Sequence, residues 1–279
     1  MVRVEIEPDV RIFFDVHGCS HVPGEGRLNR RPTLLLLHGG PGSDHSVFKP
    51  VALSLSEHMQ VVFYDHRGMG RSDRCSPDEW NLDMWADDVV RLCDALSIVD
   101  PFVLGASFGA MVAMRYLARH PGHAAKVVLL CTSATVDVDA QLRVLDRRQI
   151  PANVRTAAES FWRSPSPETG AAFLPVSGPC YTLAGESLQN RAVQNFDVMF
   201  HFLAGEMQTM NLLPGLRGTT APVLVVAGAD DPVSPAEGMA AIADAIGTSA
   251  TLSVIDGAAH VIWADRPGVV QSIQRWLVE

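Results

Sequence analysis

A serine stands at the centre of the pentapeptide Gly105-Ala106-Ser107-Phe108-Gly109. The apolar run Phe102–Leu104 comes before it, and a helical pattern from Ala110 to His120 follows it. A serine on such a tight strand-to-helix turn needs small residues two positions before and two positions after it, and the turn pushes the hydroxyl out of the backbone. The pattern therefore predicts that Ser107 is a nucleophile, and acyl transfer is the chemistry that such a hydroxyl serves.

A nucleophilic serine needs a histidine that takes its proton. His260 ends the small-residue segment Asp256-Gly257-Ala258-Ala259-His260, which follows the strand-like run Thr251–Ile255. This places His260 in a loop at the carboxyl end of a strand, where Ser107 is also expected. We therefore predict that His260 is the general base.

The carboxylate that would orient this histidine lies in Gly228-Ala229-Asp230-Asp231-Pro232, after the apolar run Pro222–Ala227. Asp231 directly precedes the proline and fits the acid position better, and Asp230 is the alternative. The resulting chain order of serine, aspartate and histidine is the order of one particular fold.

Acyl transfer also needs hydrogen-bond donors for the oxyanion that develops on the substrate. The segment His38-Gly39-Gly40-Pro41-Gly42 follows the apolar run Thr33–Leu37, and its glycines let backbone N–H groups come close to a substrate. The proline has no N–H. We predict that the N–H groups of Gly40 and Phe108 form the oxyanion hole. Gly39 is the alternative to Gly40 and a candidate substrate contact.

Strand-like and helical runs alternate in the first and last parts of the chain, which predicts an α/β fold with a mostly parallel sheet and helices on both faces. The predicted strands are Val2–Glu7, Val10–Val16, Thr33–Leu37, Gln60–Tyr64, Phe102–Gly105, Lys126–Cys131, Pro222–Ala227 and Thr251–Ile255, and the predicted helices are Leu82–Leu96, Ala110–His120, Pro235–Ile246 and Pro267–Val278. The two strands at the start of the chain are expected to pair as an antiparallel hairpin.

The alternation stops at about residue 136 and resumes after residue 214, with mostly helical or irregular sequence between these points. We predict that residues 1–135 and 215–279 form the two parts of the core. Residues 136–214, which we call the cap, are expected to form a helical insertion over the carboxyl edge of the sheet.

The cap is rich in aromatic and methionine side chains, most of which we expect to pack it onto the core. They are Phe161, Trp162, Phe173, Tyr181, Phe196, Met199, Phe200, Phe202, Met207 and Met210. Trp162 and Phe200 are candidates to line the substrate pocket, with His201 as a polar contact. An apolar pocket favours a small ester, lactone or amide with a hydrophobic part.

The overall composition is ordinary for a globular protein, with 47% hydrophobic and 19% charged residues. A net charge of −9 argues against nucleic acid or an anionic membrane as the main partner. The odd number and irregular spacing of the cysteines favour free thiols in a reducing compartment. Because Met1–Glu7 does not look like a secretory signal, we expect a cytoplasmic protein. We also expect it to be a monomer or small homo-oligomer that acts on a small-molecule substrate.

Two further features bear on possible ligands. The histidines lack H-E-x-x-H or comparable ligand spacing, so we expect neither a metal nor an organic cofactor. A small basic cluster, Arg27, Arg30 and Arg31, lies in a segment with glycine and proline and is interpreted as a solvated loop.

These motifs together resemble the α/β-hydrolases, and among them the proline iminopeptidases and related esterases. The resemblance covers the whole core and includes the segment from Asp65 to Ser72, which is similar to the family's D-x-R-G-x-G-x-S loop. It implies hydrolysis by the serine through an acyl-enzyme. We expect the loop to be structural, with Asp65 and Arg67 paired behind the oxyanion site.

Two departures from the iminopeptidases concern the substrate. Their serine stands in G-G-S-W-G, whereas Ala106 and Phe108 flank Ser107 here. Their cap carries a glutamate in an E-N-H-Y-F-like segment that holds the substrate's amino group, and the nearest local equivalent here, Asn195–Phe200, is not that motif. Cap acids that could substitute are Glu159, Glu186, Asp197 and Glu206.

Three classes of function are therefore open. The favoured one is a serine hydrolase, either an esterase, lactonase or amidase or an iminopeptidase-type aminopeptidase. A lyase and a ligand receptor are the alternatives, because the same fold hosts several functions. Epoxide hydrolases and haloalkane dehalogenases are disfavoured because their nucleophile is a carboxylate and position 107 is serine.

Overall fold

A computed structural model of the protein describes residues 2–185 and 192–279. The strands in these ranges are β1 (Arg3–Glu7), β2 (Val10–His17), β3 (His21–Pro23), β4 (Leu28–Arg30), β5 (Thr33–Leu37), β6 (Gln60–Tyr64), β7 (Phe102–Ala106), β8 (Lys126–Leu130), β9 (Val223–Gly228) and β10 (Ala250–Ile255). The α-helices are α1 (Lys49–Ala52), α2 (Leu82–Ala95), α3 (Phe108–Arg119), α4 (Val138–Arg147), α5 (Ala152–Arg163), α6 (Pro167–Phe173), α7 (Gly178–Tyr181), α8 (Phe196–Ala204), α9 (Glu206–Thr209), α10 (Leu213–Leu216), α11 (Ala236–Ile246), α12 (Ile262–Asp265) and α13 (Val269–Val278).

One large sheet organises the core, with the strand order β1-β2-β6-β5-β7-β8-β9-β10. β2 runs antiparallel to its neighbours β1 and β6, and the pairs from β6 to β10 are parallel. The hairpin at the start of the chain and the mostly parallel sheet are thus confirmed. Because parallel strands end at the same edge, the loops after β5, β6, β7, β9 and β10 all meet there.

Helices cover both faces of this sheet, as the alternating pattern predicts. In β5, Leu35 and Leu37 pack into the apolar cluster that holds α2, α3 and α11. Leu34 and Leu36 pack into the cluster on the other face, which includes residues of α1 and α13. A strand buried on both faces has a continuous apolar sequence, which is why the run Thr33–Leu37 could be identified with correct bounds.

The described part of the cap contains α4 to α9 and the start of α10. Its apolar side chains form a cluster around Phe161 and Phe173, against which Tyr181, Phe200 and Val233 pack. Because Val233 follows β9 in the core, this cluster joins the cap to the core. Residue 214, the predicted end of the cap, falls inside α10, which packs against α3 and α11.

Two details differ from the sequence-based expectations. The segment that holds Arg27 and Arg30 contains the short hairpin of β3 and β4, which we did not predict because β4 is only three residues long and fully exposed. The helix after the serine begins at Phe108 rather than at Ala110. In the part of the chain that the structure describes, no helix is long and apolar enough to cross a membrane.

Candidate active site

Ser107 lies on the turn between β7 and α3 with unusual backbone angles, φ 53° and ψ −117°. Its N–H donates to Leu130 O (2.8 Å), which fixes the turn to the neighbouring strand. A Cβ at Gly105 would collide with Gly109 O, and a Cβ at Gly109 would collide with Leu37 O. The two glycines of the pentapeptide are therefore required by the space around the turn, as the motif predicts.

Ser107, His260 and Asp231 form a continuous hydrogen-bonded chain. His260 Nε2 lies 3.0 Å from Ser107 Oγ, and His260 Nδ1 lies 2.8 Å from Asp231 Oδ2. A carboxylate can only accept, so Nδ1 carries the proton and Nε2 is free to accept from the serine hydroxyl. Asp231 is fully buried.

The backbone after Asp231 holds its carboxylate in place. Asp231 Oδ1 accepts hydrogen bonds from the N–H groups of Val233 (2.8 Å) and Ser234 (3.0 Å), which leaves Oδ2 for His260. Asp230 instead points outward to Arg147, with 3.4 Å between the charged atoms. The structure therefore places Asp231, and not the alternative Asp230, against the histidine.

The glycine segment after β5 forms a tight turn beside the serine. Gly40 C=O accepts a hydrogen bond from Ser43 N–H (2.9 Å), with Gly42 at φ 84° inside the turn. We call Gly39–Ser43 the oxyanion turn. A Cβ at Gly39 would lie 3.3 Å from Ser107 Cβ, so the turn runs directly past the serine.

His38 determines which way the first peptide of the oxyanion turn faces. Its Nε2 accepts from His66 N–H (3.3 Å), so the proton is on Nδ1, which donates to Gly39 O (3.0 Å). Burial lowers the pKa of His38, which keeps the ring neutral as this arrangement requires. The C=O and N–H of one trans peptide point in opposite directions, so the N–H of Gly40 faces away from His38.

Free N–H groups are available at both predicted oxyanion donors. Within the described residues, no backbone carbonyl accepts from the N–H of Gly40 or of Phe108. Phe108 is the first residue of α3, and the first N–H groups of a helix have no intrahelical partner. Gly39 C=O accepts from His38, so the Gly40 N–H of the same peptide points the other way. Gly40 is therefore the better placed donor of the two glycines.

The expected ion pair between Asp65 and Arg67 is wrong. Asp65 accepts from His45 Nδ1 (2.6 Å) and from the N–H of Arg71 (2.8 Å). Burial would raise the pKa of this carboxyl, but the hydrogen bonds that it accepts from His45 hold the pKa below its ordinary value. Arg67 is fully buried on the other side of the loop, where it makes two hydrogen bonds to Asp88 of α2 (2.8 and 2.6 Å).

The three cap residues proposed as substrate contacts lie in different surroundings. Phe200 is half-buried, stacks on Phe196 with ring centroids 6.4 Å apart, and touches Gly170. Trp162 packs edge-on against Phe173 of α6. His201 is exposed and its ring meets Trp80 of the core (5.7 Å), so the structure does not bring it to Ser107 or His260.

Tyr181 is the cap side chain that contacts the histidine in the described structure. Its ring lies edge-on to that of His260, with centroids 5.5 Å apart, and its C=O accepts from Val261 N–H (2.8 Å). Burial raises the pKa of the Tyr181 phenol, so the hydroxyl is neutral. The sequence could include Tyr181 only among the many aromatic residues of the cap, because nothing local marks its contact with a loop far along the chain.

Three of the four cap acids that could replace the iminopeptidase glutamate are described, and they have other partners or lie on the surface. Glu159 pairs with Arg155 and Arg163 on α5. Glu206 accepts from the N–H of Leu82 at the start of α2 (2.9 Å), and Asp197 is exposed in the first turn of α8. Glu186 lies outside the described residues. Over the described ranges, no group of three or more His, Cys, Asp or Glu side chains is placed to hold a metal ion.

This fold and site coincide with a known family. The model of the alpha/beta hydrolase fold family matches residues 32–267. The chain therefore belongs to the alpha/beta hydrolase fold family.

Relatives of this chain carry several activities. A proline iminopeptidase of Clostridium botulinum is 34% identical over 113 residues, which is 40% of this chain and 38% of that protein. A putative carbamate hydrolase, RutD, of Agrobacterium fabrum is 25% identical over 262 residues, which is 88% of this chain and 93% of the relative. The chain thus spans well under half of the iminopeptidase but nearly all of the carbamate hydrolase.

Solved structures show the same fold over almost the whole chain. The proline iminopeptidase of Mycobacterium smegmatis superposes with a TM-score of 0.72 at 21% identity and covers 99% of this chain and 97% of its own. An enzyme that degrades N-acyl homoserine lactone gives 0.72 at 23% identity, with 99% of both chains covered. At these identities the likeness establishes the fold alone.

Proposed function

We propose that the protein is a serine hydrolase that cleaves a small, partly hydrophobic ester, lactone or amide through an acyl-enzyme. The observation that carries this proposal is the hydrogen-bonded chain from Ser107 through His260 to Asp231. Ser107 is the nucleophile, His260 the general base and acid, and Asp231 the residue that holds the histidine in the required tautomer.

Acylation follows from this geometry. Ser107 Oγ attacks the carbonyl carbon of the substrate while its proton moves to His260 Nε2. The imidazolium that forms is stabilised by Asp231. When the tetrahedral intermediate collapses, the bond to the leaving group breaks and His260 gives the proton to the departing oxygen or nitrogen.

Deacylation repeats these steps with water as the nucleophile. His260 takes a proton from water as its oxygen adds to the acyl carbon, and then returns a proton to Ser107 Oγ as the acid leaves. The N–H groups of Gly40 and Phe108 stabilise the oxyanion in both steps. Neither step needs a metal or an organic cofactor.

An apolar cluster favours a substrate with a hydrophobic part. The cap cluster around Phe161 and Phe173 extends to Val233, in the loop of Asp231, and to Tyr181, which contacts His260. A substrate bound between Ser107 and the cap would therefore meet mainly apolar side chains, with the polar contacts concentrated at its carbonyl group.

Position 194 favours a neutral substrate over a peptide with a free amino group. An E-N-H-Y-F-like segment aligned on Asn195 would place its glutamate at this position, where the chain has Gln194. Gln194 Oε1 accepts from Ser43 Oγ (3.1 Å) beside the oxyanion turn. An amide cannot neutralise a substrate ammonium as a carboxylate does. An iminopeptidase-type aminopeptidase is therefore the second candidate, supported by the relatives of that name.

A rate comparison on purified protein tests the proposal. The substrates are p-nitrophenyl acetate, an acyl lactone, an alkyl carbamate and proline-β-naphthylamide, each with the wild type and with Ser107→Ala. We expect an ester or lactone to exceed the proline amide by about a hundredfold or more in kcat/KM, and Ser107→Ala to lose about 10⁴-fold or more. A proline amide preferred by a similar factor would support the aminopeptidase instead.

Variants of the two adjacent aspartates provide the matched control. Asp231→Asn should lower kcat by about 10³-fold or more because the histidine loses its orienting carboxylate, whereas Asp230→Asn should stay within about twofold. Undiminished turnover in folded Ser107→Ala would refute the mechanism. Tight binding of one of these compounds without turnover by the wild type would favour a receptor.

A further inference from the structure

The start of α8 is fastened to the oxyanion turn by several hydrogen bonds. Asn195 N–H donates to Gly42 O (2.7 Å), and Ser43 Oγ donates to Gln194 Oε1 (3.1 Å). Val193 N–H donates to Asp44 Oδ2 (3.2 Å), and Asp44 is fully buried directly after the turn. The cap thus contacts the oxyanion turn through consecutive residues rather than through a single side chain.

Asn195 contacts the core through its side-chain amide and its backbone N–H, and it also caps α8. Its side-chain Nδ2 donates to Gly68 O (2.8 Å), in the loop after β6, and its Oδ1 accepts from Asp197 N–H (3.2 Å) as the N-cap of α8. Its N–H is the group that binds Gly42 O. One residue therefore links the cap to two loops of the core.

Gly42 is held from both sides at this point. Its N–H donates to Met69 Sδ (3.2 Å), in the same loop as Gly68, and its C=O accepts from Asn195. A Cβ at Gly42 would collide with Asn195 O, so the two backbones approach as closely as glycine allows. A shift of Asn195 must move Gly42.

Gly42 and Gly40 belong to the same hydrogen-bonded turn, so a shift of one reorients the other. His38 fixes the turn at Gly39 O, the carbonyl of the donor peptide itself. Asn195 fixes it at Gly42, after the donor peptide. The direction of the Gly40 N–H thus depends on contacts on both sides, one from the core and one from the cap.

We propose that Asn195 is a positioning residue of the cap that holds the oxyanion turn in its active geometry through Gly68 O and Gly42 O. This inference rests on the proposed serine mechanism. An oxyanion donor that is displaced by a fraction of an ångström stabilises the transition state less but leaves substrate binding nearly unchanged. Loss of the Asn195 side chain should therefore lower kcat and leave KM in place.

Two variants remove the contact with Gly68 but keep the helix cap. Asn195→Ser and Asn195→Asp both retain a good N-cap oxygen. The aspartate has no hydrogen to donate to Gly68 O, and the serine hydroxyl ends one bond short of the position of the amide nitrogen. We expect kcat for p-nitrophenyl acetate to fall about tenfold in each, with KM within about twofold, as the loss of one hydrogen bond implies. The rate at which a fluorophosphonate labels Ser107 should fall by a similar factor.

Asn211→Ala is the matched control within the cap. Asn211 Oδ1 also accepts from the N–H two residues ahead (Leu213, 3.2 Å) at the start of a helix, but within the described ranges Asn211 forms no hydrogen bond with the oxyanion turn. This variant should lower the melting temperature and leave kcat unchanged. Wild-type kcat in both Asn195 variants, or a fall matched by Asn211→Ala, would overturn the proposal.

Hydrogen exchange separates this inference from the proposed function. The amides of residues 39–44, apart from Pro41, should exchange faster in Asn195→Ser than in the wild type, while those of α3 stay unchanged. This measurement does not depend on turnover. If the wild type neither hydrolyses esters nor reacts with the fluorophosphonate, the serine mechanism fails, yet faster exchange would still support the role of Asn195. Unchanged exchange would overturn that role whatever the activity.

Discussion

At the scale of single residues, Arg67 shows how much of this fold depends on a buried charge. Its guanidinium is fully buried and binds Asp88 through two hydrogen bonds, with Glu7 and Glu79 as further ion-pair partners. Such a pair is costly to break because removal of one partner leaves the other charge buried without compensation. Arg67 is thus a structural residue of the loop that supports the oxyanion turn.

Arg67→Met should therefore destabilise the protein by about 3–5 kcal/mol, because the buried Asp88 carboxylate would lose its two hydrogen bonds to Arg67 and keep only Arg91 as a cationic partner. Urea unfolding followed by circular dichroism measures the change. Arg143→Met is the control, since Arg143 and Glu237 are both 62% exposed and such pairs contribute about 0–1 kcal/mol. Equal losses in the two variants would contradict this assignment.

At the scale of elements, the connection from β7 to α3 depends on the absence of a side chain at Gly109. An added Cβ would meet Leu37 O and His38 O, at the point where β5 runs into the oxyanion turn. The helix, the strand and the turn can therefore approach this closely only with glycine. The requirement is one of space, and it ties the position of the serine to that of the oxyanion donors.

Gly109→Ala should destabilise the protein and lower kcat together, because backbone atoms must move to make room for the methyl group. Gly238→Ala in α11 has nothing within 4 Å of the added atom and should instead stabilise by about 0.5–1 kcal/mol, as alanine does in a helix. Melting temperatures and p-nitrophenyl acetate kinetics show whether Gly109→Ala is destabilised and slower and whether Gly238→Ala is stabilised. If Gly109→Ala kept the melting temperature and the kcat of the wild type, the turn would have more space at this position than described.

The elements that could be predicted from sequence are those whose signal is local. Buried strands such as Thr33–Leu37 are continuous apolar runs, and α2 was recognisable from its periodicity and from Asn81, whose side chain accepts from Met84 N–H as an N-cap. Ser107 and Asp231 were identifiable because each follows such a strand, and His260 because it follows the strand-like but partly exposed β10. Their roles remain a proposal, which the observed geometry supports.

Contacts that join distant parts of the chain could not be predicted. The partner of Arg67 is set by the packing of α2 on the core, so the nearby Asp65 was the wrong choice. The hydrogen bonds from Asn195 to Gly42 and Gly68 cross more than a hundred residues and leave no local pattern. The sequence pointed to the residues now proposed for the chemistry but not to those that join the cap to the loops around them.

At the scale of the whole molecule, two neutral histidines make stability depend on pH. Burial lowers the pKa of His38, and it lowers the pKa of His66 well below the usual value of 6.5. Both ring nitrogens of His66 are buried without a hydrogen-bond partner among the described residues. When the pH is below the ordinary histidine pKa of 6.5, the unfolded chain binds protons that the native state does not. The unfolded state therefore gains stability as the pH falls.

The free energy of unfolding should accordingly be largest above pH 7 and fall from about pH 6.5 downward, by up to about 1.4 kcal/mol per pH unit for each histidine. In His66→Phe the free energy of unfolding should fall less steeply with decreasing pH, because the contribution of one histidine to the slope is removed. The substitution breaks no hydrogen bond of the ring. The exposed His58 gives the control variant, His58→Gln, which should keep the wild-type slope. Urea unfolding at pH 7.5, 6.5 and 5.5 measures these slopes, and a His66→Phe slope equal to that of the wild type would contradict the argument.

The position of the cap has a consequence for how new variants of this protein could arise by recombination. Tyr181 lies against His260 and Asn195 is bonded to Gly42, so the cap contacts both the histidine loop and the oxyanion turn. A chimera that exchanges residues 136–214 for those of a relative would replace these contacts together with the cap residues proposed to contact the substrate. Grafts that preserve Tyr181 and Asn195 should keep their turnover and change only their substrate range, whereas grafts that lose them should be folded but slow.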